Sequence, residues 1–298
     1  MQDRKFRVLI LGQGEMGQAM EFLLGARHEL RRWQRHPPAG STALNLAEAV
    51  PTSDFIFFCL PATAHAEVAA LIAPLRQNDT LCLTIAKGLD ERGRLPGAVL
   101  MQTIGAQHVA LLYGPMISEE IRAGKPAFAD CGVADSAAFE RIATLLRGSA
   151  LHLEQAHDLT GLSWSVILKN VYAMAFGMAD QLRLGDNTRG FLAVAALQEL
   201  SALVQHLGGA ATTPYRLAGL GDLITTATSA GSHHHELGRM LVRGERAALK
   251  GEGIHTLAMI EQFQLLDTAG FPLFHLIADC VREPGTSAQA LADFIKHR

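Results

Sequence analysis

Arg7-Val8-Leu9-Ile10-Leu11 runs straight into Gly12-Gln13-Gly14-Glu15-Met16-Gly17, and this junction decides how the first half of the chain is read. The short apolar run predicts a strand, the loop has GxGxxG spacing, and helical sequence begins near Gly17. Gly12 permits a tight turn, Gly14 lets backbone approach a pyrophosphate, and Gly17 allows close helix–strand packing. The N–H groups at the helix start, around Glu15 and Met16, attract the anion. An ordinary glycine-rich turn is the bland alternative, but it does not require a strand before it and a helix after it. The loop therefore points to a nicotinamide dinucleotide, NADP or NAD, as cofactor.

Outward from this loop, Phe55–Leu60, Thr80–Ala86 and Val109–Tyr113 are further short apolar runs with little polar alternation. Such runs fit strands buried on both faces of a parallel sheet. Helical segments such as Gly17–Leu24 and His65–Pro74 lie between them, the rhythm of a doubly wound α/β domain. From about His157 the pattern changes. Leu162–Leu182, Gly190–Leu207, Glu252–Asp267, Leu273–Arg282 and Ser287–His297 predict helices. Gly208-Gly209 and Gly270 read as stops, and Thr286 or Ser287 as the last cap. The expected organisation is a Rossmann-type domain over 1–155 and an all-helical domain over 156–298.

The chain has 298 residues, 49% hydrophobic and 18% charged, enough for two packed cores. A formal net charge of -3 gives no basic excess, so the expectation is no nucleic-acid partner. Cys59, Cys82, Cys131 and Cys280 lack the spacing of zinc or disulfide frameworks, which fits reduced thiols in a cytoplasmic protein. Met1–Lys5 is polar and unlike a secretory leader, and no apolar run approaches the ~20 residues of a membrane span.

The second strand should end near position 35, where an NAD-selective site would place Asp or Glu. The sequence reads Arg31-Arg32-Trp33-Gln34-Arg35-His36 instead. Arg35 can neutralise a 2'-phosphate, which favours NADP; a solvated basic strand end is the alternative. Three lone charges stand in apolar surroundings. Lys87 follows the strand TLCLTIA, at the end where open α/β sheets bind ligands. Lys169-Asn170 lies inside TGLSWSVILKNVYAMAFGMA, and Asp222 inside AGLGDLITTATS. A buried lysine needs a partner, and a lysine held by a carboxylate suits proton transfer during carbonyl reduction. A snorkelling lysine and a helix-capping aspartate are the plainer readings.

These residues carry a resemblance. GQGEMG, RRWQRHP, FFCLP, AKGLD, LYGP, LKNVYAMAFGMADQLRLGDNTR, LAGLGDLITTATS and the GEG around Glu252 resemble the bacterial NAD(P)-dependent glycerol-3-phosphate dehydrogenases. The resemblance implies a Rossmann domain followed by a helical one, a cytoplasmic homodimer, and reversible reduction of dihydroxyacetone phosphate. It implies Lys169 as general acid/base, Asp222 as its supporting carboxylate, and Lys87 touching substrate and cofactor. Asn170 and Thr226 would line the substrate pocket, and Glu252 would contact cofactor from the helical domain.

The chain departs from the family pattern on the substrate side. Ser232-His233-His234-His235 stands where a Ser-Arg-Asn group holds the substrate phosphate, and Met116 replaces a serine or threonine after Gly-Pro. The region after residue 36 is also short, lacking an Arg-Tyr-Leu-Pro-Gly-like segment. Arg to His removes a permanent bidentate donor, so Ser232, His233 and His234 are expected to bind phosphate more weakly and with pH dependence. Consecutive helical histidines point ~100° apart and converge poorly on one metal ion, so no metal site is expected, and His235 reads as a solvated helix residue. Two other readings stand beside the leading one: reduction of a different small 2-oxo compound, as in ketopantoate reductases, and a non-catalytic NADP(H)-binding sensor.

Overall fold

The structure, a computed structural model, describes residues 4–38, 40, 44–229 and 231–297. The expectation for Met1–Asp3, and part of the short region after residue 36, lie outside the described residues. The chain divides into two compact units, Met1–Asp90 with Arg94–Leu159, and Glu91–Gly93 with Thr160–Arg298.

The first unit is built on a seven-stranded sheet. Its strands are β1 (Arg7–Leu11), β2 (Glu29–Trp33), β3 (Phe55–Phe58), β4 (Leu81–Thr84), β5 (Val109–Tyr113), β6 (Ala127–Val133) and β7 (Leu151–Ala156). Their order is β2-β1-β3-β4-β5-β6-β7. Every neighbouring pair is parallel except β5 and β6, which run antiparallel. β3, β4 and β5 are buried along their whole length, as their unbroken apolar sequences require. Phe6, Val8, Ile10, Phe55, Phe57, Leu81, Leu83, Ala110 and Leu112 fill the core on one face. The alternating set, Leu9, Leu11, Ile56, Phe58, Cys82 and Leu111, is buried as well.

The parallel order β2-β1-β3-β4-β5 reverses direction between β1 and β3, the topological switch point at which open α/β sheets bind ligands. The commonest dinucleotide-binding order has one more strand outside β2. Here β2 is the edge, and only 34–45 separate it from the short helix Leu46–Ala49. β6 and β7 were not foreseen from sequence. β6 carries Asp130 and Gly132 among its apolar residues, and β7 is buried only at its ends, with exposed His152 and Glu154 alternating with half-buried Leu153 and Gln155.

The second unit is helical. Leu159–Gln181, Gly185–His206, Asp222–Thr228, His233–Arg243, Glu252–Phe263, Pro272–Arg282 and Ser287–Lys296 are its α-helices. Leu159–Gln181 is buried on all sides from Gly161 to Ala179, so it forms the unit's axis. A Cβ on Gly177 would lie 1.9 Å from the His235 carbonyl oxygen, and one on Gly238 would lie 1.9 Å from that of Met174. The axis and His233–Arg243 therefore cross at backbone contact, which only glycine permits at both points. Glu199 adds a second fixed point. Its carboxylate accepts the Tyr172 hydroxyl at 3.1 Å and the Leu273 and Phe274 N–H groups at 2.7 and 2.9 Å. It thus caps Pro272–Arg282 from another helix and ties that cap to the axis.

Two expected helix ends are corrected. Glu252–Phe263 stops at Gln264 in the left-handed conformation, so Gly270 belongs to the following linker and is not the stop. Thr286 occupies the last cap position, but its hydroxyl donates to the Glu283 carbonyl at 2.8 Å and caps nothing.

Candidate active site

β1 ends at Leu11, and the Gly12 N–H donates to the Trp33 carbonyl at 2.8 Å, so the loop is anchored to the end of β2. Gly12 has φ of 100°, and a Cβ there would meet the Cys59 carbonyl oxygen at 2.2 Å. A Cβ on Gly17 would lie 2.1 Å from the Gly12 carbonyl oxygen, which fixes the close approach of the helix Glu15–Leu24 to the turn. Around Gly14 there is no heavy atom within 4 Å of a Cβ position. Gly14 is also the N-cap and supplies no side-chain cap, so no cap side chain occupies the first N–H groups of the helix. This crowded turn with an open middle glycine fits a dinucleotide pyrophosphate. Met16 is partly buried against the apolar core, and the Glu15 carboxylate turns to Ser118 and Arg122.

Arg35 Nη2 lies 2.7 Å from Glu67 Oε2, an exposed pair beyond the end of β2. Lys87 follows β4 by three residues, and its ammonium donates to the Gly114 carbonyl at 3.1 Å. The turn that carries it is braced by His65, which sequence reading passed over as a helix residue. His65 Nδ1–H donates to the Pro61 carbonyl at 3.0 Å, so its Nε2 accepts, from the Thr84 hydroxyl at 2.8 Å. The Thr84 oxygen in turn accepts the Ala86 N–H at 3.2 Å. Burial pushes the His65 pKa down to about 4, which keeps the ring in this neutral form. Met116 is buried in the sheet unit's core, so the position expected to touch substrate is a packing residue.

In the helical unit, Lys169 and Asp222 come together. Lys169 Nζ lies 2.9 Å from Asp222 Oδ2 and 2.5 Å from Thr226 Oγ1, with both charged side chains only 4% and 5% exposed. Leu217–Gly221 forms a π-helical turn that leads into Asp222–Thr228, and Gly221 provides no side-chain cap. Asp222 is therefore no capping aspartate. It stands in the first helical turn, where a carboxylate is favoured, and its oxygens serve the lysine. Lys169 is fully enclosed and does not snorkel. Asn170, next on the axis, is buried too.

Ser232 caps His233–Arg243 by accepting the His235 N–H at 3.3 Å. The three histidines diverge. His233 Nε2–H donates to the Lys250 carbonyl at 2.6 Å, while His234 Nε2 accepts the Gly253 N–H at 3.3 Å. His235 is buried with its Nε2 2.8 Å from Asp180 Oδ2, which corrects the solvated reading. Gly177 permits this burial, because its missing Cβ lets the His235 backbone lie against the axis. Glu252 is exposed at the first position of its helix. Among the described residues no group of three or more His, Cys, Asp or Glu is arranged to hold a metal, and no helix is long and apolar enough to cross a membrane. The four cysteines are free, and burial pushes their thiols up.

A doubly wound unit with an open glycine turn, followed by a helical unit enclosing a Lys–Asp–Thr group, defines a two-domain nicotinamide-dependent oxidoreductase type. Residues 36–138 match the family model of the NAD-dependent glycerol-3-phosphate dehydrogenase N-terminus, and 158–292 that of its C-terminus. A Gloeobacter violaceus protein named glycerol-3-phosphate dehydrogenase (NAD(P)+) is 33% identical over 302 aligned positions, covering 98% of this chain and 97% of that one. The crystal structure of glycerol-3-phosphate dehydrogenase from Coxiella burnetii matches with a TM-score of 0.83 at 25% identity, covering 98% and 99% of the two chains. A 2-dehydropantoate 2-reductase from Geobacter metallireducens shares the fold at a TM-score of 0.57 and 17% identity, over 93% and 99%. The chain belongs to the NAD(P)-dependent glycerol-3-phosphate dehydrogenase family.

Proposed function

We propose that this protein interconverts dihydroxyacetone phosphate and glycerol 3-phosphate, with Lys169 as the general acid/base. The enclosed Lys169–Asp222–Thr226 group carries the reading. Gly12–Gly17 would hold the pyrophosphate of a nicotinamide dinucleotide, which would supply or accept the hydride. Lys169 holds a proton for the carbonyl oxygen during reduction and takes it back during oxidation. Asp222 holds the ammonium in place, and Thr226 keeps its hydroxyl directed, donating to the Asp222 carbonyl at 2.7 Å. Asn170 is proposed to line the substrate pocket, with Lys87 touching both substrate and cofactor and Glu252 touching the cofactor.

The substrate phosphate is assigned to the start of His233–Arg243, through Ser232, His233 and His234. His234 is held at this helix start by the Gly253 N–H, which its Nε2 accepts at 3.3 Å. Arg35, in a segment 31–36 that supplies no Asp or Glu of its own, supports NADP over NAD, with the exposed Glu67 as its partner in the free protein. Free, buried thiols support a reducing, cytoplasmic setting, and we carry the homodimer as part of the same proposal.

The test is oxidation of NADPH by dihydroxyacetone phosphate, followed by absorbance at about pH 6 and about pH 8, on either side of histidine titration. Saturable turnover at one or both is expected. Tight NADPH binding without turnover at either pH would remove the assignment and favour a sensor, whereas turnover of ketopantoate alone would favour the other reductase.

A further inference from the structure

Glu15 places a carboxylate on the first residue of the helix that receives the dinucleotide pyrophosphate. In the free protein a carboxylate suits a helix start, for the same reason that a phosphate does. It is therefore a built-in competitor of the cofactor, and a like charge beside it. The fold answers with a short helix, Ser118–Arg122, that follows the turn after β5. Arg122 Nη2 donates to Glu15 Oε2 at 2.6 Å, and the Ser118 hydroxyl donates to the same oxygen at 3.0 Å. Arg122 Nη1 donates to Gln18 Oε1 at 3.1 Å, and Gln18 Nε2 donates to the Gln13 carbonyl at 3.2 Å. One guanidinium thus holds the acidic side chain and, through Gln18, the loop backbone. The nearby Glu120 is occupied separately, 2.8 Å from Lys125.

We propose that Arg122 is a positioning residue for the cofactor: it holds the Glu15 carboxylate aside and cancels its charge at the helix start, so that the pyrophosphate can take those N–H groups. The inference rests on the dinucleotide reading of the loop. Exposed pairs add little to stability, so the effect belongs to binding more than to folding. Its size follows from one uncancelled charge close to a dianion in partly screened surroundings, about tenfold in affinity at low ionic strength.

Calorimetric titration of the purified full chain with NADPH tests this, for the unaltered protein, Arg122→Met, Arg122→Gln, Glu15→Gln and Glu15→Gln/Arg122→Met. Both Arg122 variants are expected to bind about tenfold more weakly at low ionic strength, and the gap should close in about 0.5 M salt. Glu15→Gln should bind at least as tightly as the unaltered chain, and the double variant should recover to within about threefold of it. Unchanged binding in the Arg122 variants overturns the inference. So does a double variant as weak as Arg122→Met, which would place Arg122 on the pyrophosphate itself or in mere packing. An unaltered chain that binds no dinucleotide overturns the cofactor reading along with it, whereas a binding chain indifferent to Arg122 overturns this inference alone.

Discussion

At the scale of single residues, Lys169 and Asp222 show how much an enclosed charge can announce. Each stands alone in an apolar stretch, so each needs a partner, and the two meet at 2.9 Å. What sequence left open was the direction of Asp222, because a first-turn aspartate can equally cap its own helix. The π-helical turn at Leu217–Gly221 decides this, and no spacing rule anticipates such a turn. Removing one member of a buried pair leaves the other uncompensated, at a cost of about 3–5 kcal/mol. Asp222→Asn is accordingly expected to lower unfolding stability by about 3 kcal/mol and turnover by at least ~100-fold, with NADPH affinity unchanged. Urea titration, steady-state rates and calorimetry read the three effects separately. A variant with full turnover would show that the carboxylate does not serve the lysine. Arg122 is the opposite case: its partner lies 107 positions away, and nothing local marks either residue as one of a pair.

At the scale of elements, legibility follows burial on both faces. β1, β3, β4 and β5 were readable as unbroken apolar runs, whereas β7 is half exposed and its alternation has no unique meaning before its neighbour is known. The edge strand β2 carries Glu29, Arg31 and Arg32, charges that blunt an unpaired edge. Arg32 pairs with Glu21 and Arg31 lies 3.8 Å from Glu29, so much of the basic run near Arg35 serves the edge itself. The long axis helix and the helices near 190–207, 252–263, 272–282 and 287–296 were also legible, but not which helix crosses the axis, since backbone-to-backbone crossing depends on which glycines face each other. Gly177 is one of them. Gly177→Ala would drive a Cβ into the His235 carbonyl, and the helices must part to admit it. A loss of about 2 kcal/mol in unfolding stability is expected, within the usual range for overpacking. Parting the helices also displaces Ser232–His234, so KM for the phosphorylated substrate should rise more than KM for NADPH. Equal changes in both would show that the crossing does not position the histidine segment.

At the scale of the molecule, sequence reading recovered the order of architecture, a dinucleotide sheet and then helices, because the first half alternates short apolar runs with helical segments and the second keeps helical spacing throughout. It did not recover the count of strands, since Asp130 and Gly132 interrupt the apolar run of β6 and β7 carries exposed polar residues along its length. Nor did it show that stability is tied to the loops through a histidine. His65 is wholly enclosed, and burial outweighs the Pro61 carbonyl and the charge of Asp90, both of which favour its protonated form. Its pKa therefore falls from 6.5 to about 4 on folding. Between these values the unfolded chain holds the proton and the folded chain does not, so acid favours unfolding. The contribution of His65 is whole above about pH 6.5 and fades as pH drops toward about 4, amounting to about 3 kcal/mol across the window. Carboxylates such as Asp54 and Glu236, held low by Arg7 and Arg243, also lose stability in acid, at lower pH and equally in any His65 variant. The difference between proteins isolates the ring. Urea midpoints of the unaltered chain and His65→Gln should converge as pH falls from about 7 to about 4, with the variant the flatter of the two. Parallel curves would mean that the buried ring takes up its proton without opening the Pro61–Thr84–Ala86 chain of hydrogen bonds.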